Sequence, residues 1–269
     1  MTNQKLLASS YKDARQYLLD RIPRKDAVEV LNHYLSLPDG SEESASIETL
    51  YFHLLSSAQN ANMKAGVIGG AIGGVEKLGK VLCGFSPKKV VTKYNGQHMK
   101  LLSDIESYLK PTGKIRKTPQ SIWPKYCNTA LDSAEFFSQF ESGNDFYSWA
   151  NHYYQDSRSI AALPLVLSQE IYGIGYPLAC DFLKELGFIN YGKPDVHIIE
   201  IFKGLGLCDD KATPYEIQKV IVQIAEVNGV SAYNVDKLFW LIGSGKFYDH
   251  PDIGNIGRNR QDFVQQYNA

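Results

Sequence analysis

Ile171-Tyr-Gly-Ile-Gly-Tyr-Pro-Leu-Ala-Cys-Asp-Phe-Leu-Lys-Glu-Leu-Gly187, followed closely by Gly192-Lys-Pro-Asp-Val-His-Ile198, is the stretch on which the reading of the chain turns. Gly173-Ile174-Gly175 lies between two segments of helical periodicity, Leu163–Glu170 and Leu178–Leu186. Glycine admits the positive φ of a tight interhelical turn and lets another molecule come close to the backbone. Pro177 suits the first position of the second helix, where its missing N–H costs nothing. Leu178, Ala179, Phe182, Leu183 and Leu186 then form one apolar stripe, and Ile174 plugs the space between the helices. Unsatisfied amides at such a hairpin would point at a phosphate. By itself Gly-Ile-Gly also fits a plain connection between two helices.

Asp195 opens the next apolar-periodic segment, Val196–Gly204. Asp is among the best helix N-caps, so a cap is its simplest role; its place shortly after the hairpin makes it a candidate acid as well. Outward from here the period stays helical: Tyr11 to Leu35 divided by Pro23, Ile47–Asn60, Thr129–Phe140, Asp145–Tyr154, Pro214–Asn228 and Val235–Leu241. Asp39 to Ser44 reads as a turn, residues 66–86 are Gly-rich, and 86–122 are basic short helices joined by loops. No long segment alternates with period two, which predicts an all-α protein.

The chain has 269 residues, 44% apolar and 21% charged, as for an ordinary globular protein. Its longest candidate membrane run, Ala65 to Val81, is broken by Gly and Lys, and the first residues lack the apolar core of a secretory signal. Cys83, Cys127, Cys180 and Cys208 form no CxxC pair, which predicts free thiols in a reducing cytoplasm. The six histidines make no HxH or HxxxH cluster, so no catalytic metal is expected. Between Lys77 and Lys125 there are eleven Lys or Arg against two acids, a local excess of +9 in a chain of net charge −1. The remainder therefore carries −10, and such asymmetry suits one cationic face toward a phosphate backbone. A solvated lysine-rich loop region would produce the same count.

The order and spacing of four segments resemble the helix-hairpin-helix (HhH-GPD) DNA glycosylase superfamily, closest in pattern to endonuclease III-like enzymes. Asp195 follows the second hairpin glycine, Gly175, by twenty residues, and Pro194-Asp195-Val196-His197-Ile198 matches the family's (V/P)-D-x-H-(V/I) context. Leu54-Leu-Ser-Ser-Ala-Gln59 is similar to an L-L-S-x-Q helix end, and Phe239-Trp-Leu-Ile-Gly-Ser-Gly-Lys-Phe247 to H-W-L-I-x-H-G-R-Y. The resemblance implies a two-lobed fold: residues 49–194 as a helical barrel lobe with the hairpin motif at about 163–187, and 1–48 plus 195–269 as a second lobe. It implies a double-stranded DNA partner held through Gly173, Ile174 and Gly175, with Gln59 wedged into the duplex and a base everted into a pocket. Asp195 would stabilise the sugar cation as the base departs. Candidates to stack on the base are Tyr176, Tyr172, Trp123 and Tyr126.

Two departures matter. Members that also cut the strand carry a lysine two residues beyond the second hairpin glycine, where this chain has Pro177. A Schiff base at that position is excluded; Lys184 and Lys193 are the alternative amines. The cysteines of the family's iron–sulfur cluster are absent after Phe247, so no cluster is expected, although a structural Na⁺ or K⁺ at the hairpin carbonyls is compatible with the family. Gly74-Val-Glu-Lys-Leu-Gly79-Lys80-Val81 approaches a P-loop, but Val81 replaces the magnesium-binding hydroxyl and no strand precedes it. The expectation is a cytoplasmic monomer, nucleoid-associated if bacterial, acting as a monofunctional DNA glycosylase. The alternatives are a lesion-binding protein without catalysis, and an enzyme for a hypermodified base or RNA.

Overall fold

The structure is a computed structural model that describes residues 4–37, 45–59, 67–156 and 158–268. It is all-α. The helices are α1 (Gln4–Leu19), α2 (Ala27–Leu35), α3 (Ile47–Ala58), α4 (Val67–Ile72), α5 (Pro87–Tyr94), α6 (His98–Leu109), α7 (Ile122–Ser138), α8 (Gly143–Tyr154), α9 (Ala162–Glu170), α10 (Tyr176–Glu185), α11 (Val196–Gly204), α12 (Pro214–Asn228), α13 (Ala232–Ser244) and α14 (Arg260–Asn268). Two 3₁₀ segments, Val75–Lys80 and Cys83–Phe85, follow α4. The strands β1 (Lys246–Phe247) and β2 (Gly254–Asn255) pair antiparallel, with Lys246 opposite Asn255. None of the described helices is long and apolar enough to cross a membrane. The turn expected at Asp39 to Ser44, and Asn60 at the expected end of α3, lie outside the described residues.

The chain divides into two compact units, Met1–Ser41 with Gly187–Ala269, and Glu42–Leu186. In the first, α1, α2, α11, α12, α13 and α14 close on a core that includes Leu18, Leu31, Ile198, Phe202, Ile221, Phe239 and Phe263. In the second, α7 packs against α3, α5 and α6, and α9 packs against α10. A chain of rings, Phe137, Phe146 and Phe182, joins α7, α8 and α10, with centroids 5.6 Å and 6.2 Å apart.

Local chemistry explains the boundaries. Thr213 and Ser231 start α12 and α13 with complete capping boxes, to Glu216 and Asn234 respectively. The helix expected at Thr129–Phe140 begins earlier, at Ile122, because Pro124 sits in the first turn, where no intrahelical N–H bond is required. The short β ladder and α14 were not among the expected elements. α14 is polar on most faces and anchors through Phe263, which is buried, and through Asp262, whose carboxylate accepts the Tyr17 hydroxyl at 2.5 Å.

Gly245 ends α13 with φ +68°, and a Cβ there would lie 1.9 Å from the carbonyl oxygen of Gly257. Gly70, inside α4, has no atom within 4 Å of its would-be Cβ. The two glycines should therefore respond oppositely to alanine. Gly245→Ala is expected to destabilise by about 2 kcal/mol or more through left-handed strain and overlap. Gly70→Ala should be neutral or stabilise by up to about 1 kcal/mol. Urea melts of both variants measure this, and equal shifts would contradict the assignment.

Candidate active site

Asp195 is the N-cap of α11. One carboxylate oxygen accepts the amides of His197 at 2.8 Å and Ile198 at 3.3 Å, and its own N–H donates to the Lys193 carbonyl at 2.7 Å. Capping alone would hold this carboxyl below the ordinary aspartate value. The outcome is the reverse. Burial raises its pKa, and the charge of Asp236 raises it further, against the lowering effect of His197 and the two amides. Asp236 is a buried residue of α13.

The loop that delivers Asp195 is fastened from behind. Gln218 of α12, fully buried, accepts the Gly192 N–H at 3.2 Å and donates to the Asn190 carbonyl at 3.1 Å, so one side chain grips both ends of Asn190–Gly192. The Tyr233 amide donates to the Ile189 carbonyl at 2.9 Å and ties the same loop to α13. Gly192 lies so close to α12 and α13 that a Cβ would come 3.0 Å from both Asp236 Cβ and Ile221 Cγ2.

His197, one residue inside α11, packs its ring against Gly243 of α13, where a Cβ would lie 2.4 Å from the histidine Cβ. Its Nδ1 is buried without a hydrogen bond. Burial lowers the imidazole pKa more than Asp195 raises it, and Arg260 and Arg258 lower it further, so the ring is neutral at pH 7. A neutral ring packed on a glycine orients its helix and does not serve as a cation.

The hairpin lies in the second unit. Gly173 has φ +79°, and a Cβ there would meet Thr129 Oγ1 of α7 at 2.4 Å, so both backbone and packing demand glycine. Gly175 is different: its backbone is extended (φ −79°, ψ 162°), and the nearest atom to a Cβ would be Pro177 Cδ at 3.8 Å. The fold itself does not require glycine there. Ile174 is buried, and α10 starts at Tyr176, so Pro177 takes the second helical position rather than the first. The Tyr172 amide donates to the Asp132 carboxylate at 3.0 Å, joining the hairpin to α7, while the Tyr172 ring stays exposed.

The four aromatic candidates do not share one environment. Tyr126 is interior, with its hydroxyl donated to the Leu55 carbonyl at 3.1 Å, and Tyr176 turns inward to donate to the Ala161 carbonyl at 2.9 Å. In this structure both rings are buried and both hydroxyls are satisfied by backbone carbonyls, so neither ring presents an open face. Trp123 is buried as well, but what remains accessible of it lines a cavity between α4 and residues 112–123. Gln59, the C-cap of α3, accepts the Gly69 N–H through its side-chain oxygen at 3.2 Å, which holds α4 against the end of α3.

Lys184 is buried on α10 and pairs with Asp181 at 3.1 Å, one turn earlier. Lys193 is half-buried in the loop before Asp195. All four cysteines are free thiols, and no group of three or more His, Cys, Asp and Glu placed to hold a metal occurs among the described residues. Asp236, Gln218 and Gly243 were not among the sequence candidates. Their signal was a polar or absent side chain on an otherwise apolar helix face: Asp236 lies in line with Ala232 and Phe239, and Gln218 with Ile221.

The raised pKa of Asp195 has a stability consequence whose sign is fixed. A carboxyl with a folded pKa above its unfolded value destabilises the fold once ionised, fully above the folded pKa and not at all below the unfolded one. Asn caps a helix as well as Asp does. Asp195→Asn should therefore melt higher than wild type at pH 7–8, and the gain should vanish as pH falls toward about 4. Thermal melts across that range test it; a variant less stable at every pH would show that burial does not burden this carboxylate.

Over 86 residues the chain is 28% identical to a protein of Korarchaeum cryptofilum (strain OPF8) named 8-oxoguanine DNA glycosylase/AP lyase. The match covers 30% of this chain and 41% of that relative's length. No protein-family model matches the chain, and no solved structure matches it. At this level the comparison points to DNA glycosylases as a group, in company with an all-α fold.

Proposed function

We propose that the protein is a DNA glycosylase of helix-hairpin-helix type that hydrolyses the N-glycosidic bond of a damaged, mismatched or modified base flipped from duplex DNA. The observation that carries this reading is a half-buried carboxylate at the head of α11, twenty residues after a hairpin glycine that local packing does not require. The partial similarity to a protein named as an 8-oxoguanine DNA glycosylase/AP lyase supports it.

The chemistry follows from the carboxylate. As the C1′–N bond breaks, the base leaves with the bonding electrons and the sugar becomes an oxocarbenium-like cation. Ionised Asp195 stabilises that cation by charge, in surroundings where burial and Asp236 make the negative charge costly to hold and its neutralisation correspondingly favourable. A water adds to C1′, gives its proton to the carboxylate, and leaves an abasic site. Because Asp195 acts ionised, the rate should fall as pH drops through its raised pKa.

Strand cleavage is not part of the proposal. Pro177 offers no amine at the hairpin, and the ammonium of Lys184 is held by Asp181. A structural Na⁺ or K⁺ at the hairpin remains compatible, since the Ile171 carbonyl that accepts the Ile174 N–H keeps a second lone pair.

Base release from duplexes carrying oxidised, deaminated, alkylated and mismatched bases tests the reading. Strand breaks should appear only after alkali, and Asp195→Asn should lower the rate by roughly 10²-fold or more. Breaks without alkali, trapped by borohydride and abolished by Lys184→Gln or Lys193→Gln, would replace the monofunctional reading with a lyase. Tight DNA binding without base release from any duplex would leave a lesion-binding protein. Gly175→Glu places a carboxylate where the hairpin would meet phosphate, and DNA affinity should drop about tenfold or more with little change in melting temperature. Unchanged affinity would remove the hairpin from the DNA interface.

A further inference from the structure

The second unit holds a cavity of about 810 Å³ between α4 and residues 112–123 that the hairpin-and-acid reading does not use. The Thr112 amide donates to the Ala71 carbonyl at 2.8 Å and fixes one wall to the other. Its lining combines Lys114 and Arg116 with the polar Thr112 and Gln120 and the apolar Ile122 and Trp123. Lys114 and Arg116 are exposed and make no ion pair among the described residues, whereas nearby Lys117 is taken by Glu106 at 2.8 Å and Lys93 by Asp104 at 3.0 Å. These two cations belong to the segment with the local charge excess of +9. A site of this volume whose lining combines two cations with an aromatic and an aliphatic side chain matches a nucleotide, with a phosphodiester for the cations and a base for the apolar side chains.

Helix α7 connects this cavity to the hairpin. Ile122 and Trp123 open α7 at the cavity wall, and Thr129 and Asp132 of the same helix touch Gly173 and the Tyr172 amide. At about 1.5 Å per residue, Trp123 stands roughly 9 to 14 Å along the axis from those contacts. That distance is roughly three to four nucleotides of one strand at about 3.4 Å each.

We propose that the cavity between α4 and residues 112–123 is a second DNA-binding site, taking a phosphodiester on Lys114 and Arg116 and an unpaired base against Ile122 and Trp123. It rests on the reading of the protein as one that binds DNA, and assigns that binding a second contact besides the hairpin. The test is the salt dependence of duplex binding, measured by anisotropy on full-length Lys114→Glu/Arg116→Glu and on the charge-neutral Lys114→Gln/Arg116→Gln. Both substituted residues are exposed, and equal melting temperatures would confirm that the variants fold. Each phosphate contact contributes about 0.9 to the slope of log affinity against log salt, so the Gln pair should lower it by roughly two. Affinity near 0.1 M salt should fall about tenfold for the Gln pair and more for the Glu pair.

A short single-stranded oligonucleotide should also quench tryptophan fluorescence in wild type and lose that effect in Trp123→Phe. Unchanged slope and affinity in both double variants would overturn the proposal, and so would quenching that survives in Trp123→Phe. Failure here is separable from failure of the enzymatic reading. Base release with an unaltered slope would leave the glycosylase standing without the cavity. A lowered slope with no base release from any duplex would leave the cavity standing on a DNA-binding protein.

Discussion

Two backbone amides donate to the Asp195 carboxylate, while burial and the charge of Asp236 act against its ionisation. In an ordinary N-cap the amides would prevail and the carboxyl would be a strong acid exposed to water. Here desolvation is the largest influence, and the structure around the loop accounts for how the strain is held. Gln218 grips Asn190–Gly192 from a fully buried position, Tyr233 holds Ile189, and Gly192 permits contact with Asp236 and Ile221 that no other residue would allow without displacement. A carboxylate that is expensive to ionise and firmly positioned gains more from a neighbouring cation than one already solvated. That is the property an acid opposite a developing sugar cation needs.

The hairpin glycines separate structural from functional demand. Gly173 is fixed by its left-handed backbone and by Thr129 against its α-carbon. Gly175 has an extended backbone and open space around it, so another residue would fit the isolated fold. A glycine that neither backbone nor packing requires is compatible with the proposed close approach of a phosphate backbone. The same comparison distinguishes Gly243, whose α-carbon faces the His197 ring, as a packing glycine.

Much of this was legible in the sequence where local chemistry dominates. The bounds of α11 and α12 agree with the expectation because Asp195, and Thr213 with Pro214, are start signals that act within a single turn. α7 starts seven residues before the expected Thr129, since Pro124 is tolerated in a first turn. α14 escaped because its one strong anchor, Phe263, sits among polar residues and acts only through tertiary contact with Tyr17 and Phe239. The inward turn of Tyr126 and Tyr176 was hidden for the same reason: a carbonyl partner such as Leu55 or Ala161 is set by packing, which spacing does not encode. Asp236 carried only the faint signal of a charge on an apolar face.

The proposed water-using reaction, as against an amine-using one, rests on where nitrogen is placed. Lys184 lies seven residues beyond Pro177, two turns on along the same face of α10. A Schiff base needs a neutral amine that can reach C1′, and the Lys184 ammonium is paired with Asp181 at 3.1 Å on its own helix. To act, it would first have to break that ion pair. Water requires no such rearrangement: it needs only a fixed carboxylate to accept its proton, and Asp195 is fixed by α11, by Gln218 and by the contacts of its loop. The name of the similar archaeal protein includes lyase activity, whereas the reaction proposed for this chain uses water as the nucleophile.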